Sequence, residues 1–278
     1  MASDTLALLI DGDNASPKII SGLLAEIANY GRASVRRIYG DWTKPNLNGW
    51  KECLLEHSLQ PVQQFAYATG KNATDGAMII DAMDLLYTGR FSGFCIVSSD
   101  SDFARLASRI REHGITVYGF GERKTPRPFI TACDKFIYID VLGGAAVEPP
   151  QATQNIQESD RRKSVEVAAA SVNIEAEKGR PAQGGAASGE LDDTALDMLR
   201  KAVEASADED GRANLARVGA HLAKQSPDFD ARNYGYPRLS DLATASGILE
   251  VERVGDQPKI VMVRLKTVDA RLAPRTGR

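Results

Sequence analysis

The sequence has few cysteines, few aromatic residues and no long hydrophobic segment. Only three of its 278 residues are cysteines, and no two of them form a Cys-x-x-Cys pair, which argues against a zinc knuckle or a disulfide-based fold. Aromatic residues make up 6% of the chain, which argues against a protein that works mainly through an extended aromatic surface on which bases stack. No segment approaches the roughly 18–20 apolar residues that a membrane-spanning helix requires.

An excess of positive charge is also missing. Lys and Arg number 34 against 37 Asp and Glu, for a net charge of −3, whereas proteins that bind nucleic acid through their overall charge are normally basic. Any nucleic-acid binding must therefore use local patches, and an acidic site would need metal ions to accept phosphates. The short apolar run near the N-terminus has no basic segment before it, so we expect no targeting signal and a cytoplasmic protein with reduced thiols.

Composition divides the chain into three zones. Residues 143–189 are rich in Ala, Gly, Gln, Ser and Pro and contain no aromatic residue, which is typical of flexible linkers. We therefore expect two domains, at 1–142 and 190–278, joined by a flexible linker at 143–189. Such a tether would raise the local concentration of whatever the second domain binds without shaping a site in the first.

The first zone alternates strand-like apolar runs with helical patterns. Segment 6–10 is apolar throughout, which is typical of a strand buried on both faces, and Ser16 followed by Pro17 is a helix-start signal. The predicted strands are 6–10, 34–39, 61–65, 94–97, 116–120 and 136–139. Strands that alternate with helices predict an α/β fold with a mainly parallel sheet and helices on both faces.

Acidic residues follow the predicted strands at the edge where open parallel sheets bind ligands. They are Asp11 and Asp13, with Asn14, after the first strand, Asp75 at the start of a helix, and Asp100 and Asp102 after the fourth strand. Carboxylates that converge raise one another's pKa and need cations to stay ionised. Hard oxygen ligands select Mg²⁺ or Mn²⁺ over zinc. Each acid taken singly is equally consistent with a helix cap or a turn residue.

As a set, these segments resemble the NYN domains, which are relatives of the PIN-like ribonucleases. The resemblance rests on LLIDGDN, on TGKNATDGAMIIDAM and on SSDSDF after a hydrophobic strand, and it covers about residues 4–141. It implies a PIN-like fold and a metal-dependent endoribonuclease. It also implies that Asp11, Asp75, Asp100 and Asp102 are the catalytic carboxylates and metal ligands, with Asn14 supporting the first of them.

Several cations are candidates for contact with RNA phosphates. A metal ion that activates water makes a histidine or a covalent nucleophile unnecessary, but the phosphate must still be held. Lys71 lies four residues before Asp75, and Lys44, Arg123 and Lys124 lie in loops expected at the same edge of the sheet. Each of them taken singly is more simply explained as a solvated surface cation.

Residues 190–266 show helical spacing followed by two strand-like runs, 248–254 and 260–265, around the turn sequence GDQP. Helices followed by a hairpin predict a small winged-helix domain. The segment DFDARNYGYPRLSDLATASGILEVE resembles the OST-HTH/LOTUS domain, which implies binding of RNA or, in some members, of a protein partner. The basic candidates for RNA contact here are Lys224, Arg232, Arg238 and Lys259.

Two other interpretations of the first domain stay open. LLIDGDN also fits the start of haloacid dehalogenase-type phosphatases, in which Asp11 would be a covalent nucleophile and Asp13 an acid. Asn14 and the position of the SSDSD cluster fit that class poorly. The other interpretation is a non-catalytic RNA or protein adaptor built on a nuclease fold, and the complete set of carboxylates argues against it.

Overall fold

The computed structural model describes residues 4–65, 73–142, 191–255 and 260–266. Lys71, Lys259 and the expected linker at 143–189 lie outside the described residues. Within these ranges the chain forms a six-stranded sheet in its first half and a three-stranded sheet in its second half.

The six-stranded sheet is parallel throughout. Its strands are β1 (Thr5–Asp11), β2 (Arg32–Gly40), β3 (Gln60–Gln63), β4 (Gly93–Val97), β5 (Thr116–Gly121) and β6 (Lys135–Tyr138). They pair in the order β3-β2-β1-β4-β5-β6. The chain adds β2 and β3 on one side of β1 and then returns to place β4 on the other side. The neighbours β1 and β4 therefore form the topological switch point, where open parallel sheets bind ligands.

Helices cover both faces of this sheet. They are α1 (Ile20–Ala28), α2 (Asn48–Cys53), α3 (Ala73–Tyr87), α4 (Ala104–Glu112) and α5 (Arg127–Ala132). One apolar cluster lies on the face covered by α3, α4 and α5, and the other lies on the face covered by α1 and α2. Segment 6–10 of β1 contributes alternate side chains to the two clusters, and all five are at most 1% exposed. The predicted α/β fold is confirmed.

The helix after β1 begins later than its sequence signal. Ser16 accepts a hydrogen bond from the backbone N–H of Lys18 at 3.4 Å, as a cap should. Pro17–Ile19 then forms a turn of 3₁₀ helix, and α1 starts only at Ile20. Short 3₁₀ turns are common at helix ends. A capping serine followed by proline can begin a 3₁₀ turn as well as an α-helix, so the sequence could not distinguish the two.

The second domain has its own core. Its elements are α6 (Asp193–Ser206), β7 (Arg212–Asn214), α7 (Leu215–Gln225), α8 (Leu239–Ala245), β8 (Leu249–Val254) and β9 (Ile260–Leu265). β8 and β9 form the predicted hairpin, and β7 pairs with β9 on the other side. The prediction missed β7, a three-residue strand without an apolar run.

None of the helices in the described ranges combines the length and the apolar composition needed to cross a membrane.

Candidate active site

Three carboxylates converge at the switch point. Carboxylate oxygen atoms of Asp75, Asp100 and Asp102 lie within 4.8 Å of one another. Asp100 and Asp102 follow β4, and Asp75 lies in the first turn of α3. Because Mg²⁺ and similar hard cations take oxygen ligands at roughly 2.0–2.6 Å, one ion can contact all three side chains. The chemistry of this donor set fits Mg²⁺ or Mn²⁺.

A capped turn holds two of these carboxylates in place. Oδ1 of Asp100 accepts the backbone N–H of Asp102 at 2.9 Å and so caps the 3₁₀ turn Ser101–Phe103, which leads into α4. Phe103 is fully buried and anchors the turn to the core. The cap uses one carboxylate oxygen of Asp100 and leaves Oδ2 for a ligand. Capping and metal binding are therefore compatible roles for the same residue.

Asp11 lies at the end of β1, and its carboxylate is held by neighbouring donors. Oδ2 accepts hydrogen bonds from Asn14 Nδ2 at 2.7 Å and Ser98 Oγ at 2.8 Å, and Oδ1 accepts the N–H of Asp13 at 3.2 Å. Burial raises the pKa of Asp11, and the bonds from Asn14 and Ser98 oppose that rise. Asp11 is not one of the three carboxylates that meet within 4.8 Å.

Electrostatics nevertheless link Asp11 to the cluster. Asp75 is 9% exposed, and burial raises its pKa to about 6, with a further contribution from the negative charges of Asp11, Asp100 and Asp102. A cation at this position would favour the ionised form of every member. The four acids that the NYN resemblance implies as metal ligands therefore form one electrostatic group, three of which can share an ion.

Asp13 organises the loops around the cluster. Its carboxylate accepts hydrogen bonds from Asn46 Nδ2 at 2.9 Å and Thr74 Oγ1 at 3.3 Å, which join the loop after β2 and the start of α3 to the end of β1. Gly12 permits this close arrangement, since a Cβ there would lie 2.8 Å from the carbonyl oxygen of Tyr39. Sequence reasoning missed Asn46 and Thr74 because neither is close to Asp13 along the chain.

Ser98 is a further polar residue that sequence reasoning did not assign. Its hydroxyl donates to Asp11 and accepts the backbone N–H of Asp100 at 3.1 Å, so it joins the ends of β1 and β4. It is 1% exposed. Its position in the sequence SSDSD, directly after a buried strand, could have indicated that it belongs to the site.

Removing the Ser98 hydroxyl is expected to weaken the site without unfolding it. Ser98→Ala leaves Asp11 with one donor fewer and frees the turn that carries Asp100. Loss of a group that orients metal ligands typically lowers metal affinity about 10–100-fold, and titration calorimetry with Mn²⁺ measures this effect. Ser108→Ala, at an exposed position of α4, is the control. Equal affinity in both variants would show that Ser98 does not position the carboxylates.

Three of the candidate RNA-binding cations of the first domain lie among the described residues, in loops at the same edge of the sheet, and each of these three has an acidic partner. The pairs are Lys44 with Asp41 at 3.8 Å, Arg123 with Asp140 at 2.9 Å, and Lys124 with Glu122 at 2.8 Å. Ion pairs that are exposed on both sides, as those of Arg123 and Lys124 are, are worth about 0–1 kcal/mol. These two cations can therefore exchange their partners for a phosphate at small cost, whereas the partner of Lys44, Asp41, is 6% exposed.

The candidates of the second domain differ from one another. Lys224 and Arg238 are exposed. Arg232 is half-buried and donates its hydrogen bonds to Glu26 of the first domain and to Asp230. The structure therefore places Arg232 between the domains and places Lys224 and Arg238 at the surface of the second domain.

Comparisons with known proteins identify both halves of the chain. Residues 5–140 match the family model of the NYN domain, and residues 190–261 match that of the OST-HTH/LOTUS domain. No curated protein matches the chain. A solved protein of unknown function from Vibrio parahaemolyticus is 18% identical with a TM-score of 0.43, over 50% of this chain and 94% of that one. An uncharacterised protein from Nitrosomonas europaea is 31% identical with a TM-score of 0.26, over 34% of this chain and 93% of that one. Both resemblances predicted from the sequence are confirmed.

Proposed function

Residues 5–140 form an NYN domain and residues 190–261 an OST-HTH/LOTUS domain, and from this pairing we propose that the protein is a metal-dependent endoribonuclease. The chain joins a nuclease-type fold to a module of an RNA-binding family. The observation that carries the proposal is the convergence of Asp75, Asp100 and Asp102 at the switch point of the sheet. A fold used only as a scaffold has no need to hold three carboxylates within a few ångströms of one another.

In this proposal Asp75, Asp100 and Asp102 hold one or two Mg²⁺ or Mn²⁺ ions. When bound there, such an ion would lower the pKa of a coordinated water, which would supply the nucleophile, and would stabilise charge on the leaving oxygen. Asp11, fixed by Asn14 and Ser98, adds negative potential that favours cation binding. The exposed Lys44 and Lys124 at the same edge hold the substrate phosphates, and the second domain holds more of the RNA.

The two lysines should affect substrate binding more than chemistry. In the double variant Lys44→Gln/Lys124→Gln we expect KM for RNA to rise about fivefold with kcat changed less than about twofold, since contacts remote from the reacting phosphate lower KM. Each lost phosphate contact should also make the salt dependence of binding shallower. Arg90→Gln, an exposed residue at the opposite edge of the sheet, is the control. A fall in kcat at constant KM would contradict this assignment.

The proposal is tested by incubating the full chain with end-labelled single-stranded RNA in Mn²⁺, Mg²⁺ or EDTA. Internal cleavage with either metal, and none in EDTA, is the expected result. Metal binding in titration calorimetry without cleavage would instead support the adaptor interpretation. A stable adduct of the Asp11 carboxylate with a phosphate mimic, which imitates an aspartyl-phosphate, would support the phosphatase interpretation.

A further inference from the structure

The second domain contacts the first along β6, the edge strand of the parallel sheet. The backbone N–H of Phe136 in β6 donates a hydrogen bond to the carbonyl oxygen of Pro227 at 2.8 Å. Exposed sheet edges present unpaired backbone groups, and proteins commonly cover them. Here the segment that follows α7 covers the edge at Phe136, so this amide reports directly on whether the domains are in contact.

Arg232 secures one end of the contact. Its guanidinium donates two hydrogen bonds to Glu26 in α1, at 2.9 and 3.1 Å, and two to Asp230, at 3.0 and 2.7 Å. Bidentate arginine–carboxylate pairs fix orientation as well as adding energy. Burial alone would raise the pKa of Glu26, which is 8% exposed, but hydrogen bonds from Arg232 and Tyr30 outweigh burial and lower it. Glu26 is therefore ionised for this contact.

Asp228 secures the other end, with the charges reversed. Its Oδ2 accepts hydrogen bonds from Arg127 at 2.8 Å and from the Tyr138 hydroxyl at 2.9 Å, and its Oδ1 accepts from Ser226 at 2.8 Å. Burial alone would raise the pKa of Asp228, and these three bonds outweigh it and lower the pKa. The second domain thus supplies the cation at one end and the anion at the other, so only one orientation satisfies both pairs.

The Asp228 end of the contact reaches the edge of the sheet that carries the candidate active site. Tyr138 is the last residue of β6, and the Arg123 guanidinium carbon lies 4.3 Å from the centre of its ring. Arg123 follows β5 at the carboxyl edge, two strands away from β1 and one from β4. The second domain therefore borders the carboxyl edge on the β6 side.

We propose that the two domains bind one RNA as a single fixed surface, and that Arg232 is a positioning residue rather than a phosphate contact. This inference rests on the proposed ribonuclease function. A loose tether would raise the local RNA concentration but let cleavage occur over a wide range of positions. A docked second domain fixes the distance between the RNA it holds and the carboxylates, and so restricts which phosphodiester bonds reach them. The substrate is then an RNA long enough to span both domains.

Docking itself is tested without RNA, by amide hydrogen exchange of the full chain resolved at Phe136. We expect protection in the wild type and exchange about tenfold faster or more in Arg232→Gln and in Glu26→Gln, because breaking the pair opens the edge locally. Amides of β1 should keep their protection, which shows that the first domain remains folded. Arg200→Gln, at an exposed position of α6, should match the wild type. Unchanged Phe136 exchange in both interface variants would overturn the docking.

The positioning role is tested by mapping the cut sites on an end-labelled RNA of one sequence. The wild type should cut a few adjacent bonds, whereas Arg232→Gln and Glu26→Gln should spread the cuts over more positions. A short oligonucleotide that cannot span both domains should be cleaved equally by the wild type and the two variants.

If Arg232 contacts RNA instead, Glu26→Gln would free it and strengthen RNA binding. Identical cut sites in variants with a deprotected Phe136 would overturn the positioning role. No cleavage by a wild type with a protected Phe136 would refute the ribonuclease proposal and leave the docking intact.

Discussion

Replacing Asp100 with asparagine is expected to lower metal-dependent RNA cleavage about 100-fold or more and to leave the fold unchanged. Asparagine keeps the carbonyl oxygen that accepts the N–H of Asp102, so the turn before α4 retains its cap. The substitution removes one anionic ligand from the cluster with Asp75 and Asp102. A catalytic ion contributes several kcal/mol of charge stabilisation, and each ~1.4 kcal/mol is a factor of ten in rate.

The measurement is kcat/KM for single-stranded RNA in Mn²⁺, with circular dichroism to confirm the fold. Asp84→Asn is the matched control, since Asp84 is an exposed acid on α3 outside the three-carboxylate cluster. It should leave the rate within about twofold of the wild type. Equal loss in both variants would point to a general effect of charge. Retention of most of the activity by Asp100→Asn would show that the catalytic assignment is wrong.

Much of the fold could be predicted because its signals are local. The apolar run at 6–10 has no polar position that could face water, which identifies a strand buried on both faces. Helical spacing between such runs then implies a parallel sheet. The three-residue strand β7 has no comparable signal, since its pairing with β9 is a tertiary contact between segments about 50 residues apart. Short strands depend on their partners more than on their own sequence.

The edge of the sheet that carries the candidate site could also be predicted, because it follows from the order of the strands. The topology rule places the ends of β1 and β4 together, so Asp11 and Asp100 could be assigned to one edge before any distance was known. The bond from Arg232 to Glu26 spans 206 residues of sequence and joins two domains, and nothing in either segment marks it. Composition predicts a tether between two domains, but it could not predict that the domains contact each other.

Asp75→Asn is expected to stabilise the metal-free protein while removing much of its metal affinity. The pKa of Asp75 is raised from 3.8 to about 6, first by burial and then by the neighbouring acids. A carboxyl group whose pKa is raised by folding destabilises the folded state above that pKa, and the cost disappears as the pH falls towards the unfolded value. A shift of about two units corresponds to roughly 3 kcal/mol, so removing the charge should increase the free energy of unfolding by about 1–3 kcal/mol at pH 7.5.

Denaturant unfolding in EDTA at pH 7.5 and pH 4.5 measures this effect, with Asp84→Asn as the control. The stability difference between Asp75→Asn and the wild type should be largest at pH 7.5 and clearly smaller at pH 4.5, which lies well below the folded pKa and approaches the unfolded one. Added Mn²⁺ should stabilise the wild type by mass action and the variant much less. A variant that is no more stable than the wild type at pH 7.5 would show that the ionised Asp75 carboxylate does not destabilise the metal-free fold. A variant that Mn²⁺ stabilises as much as the wild type would show that Asp75 does not bind the ion. The acids would then be turn and cap residues that happen to lie close together, and the edge of the sheet would have to act without a metal.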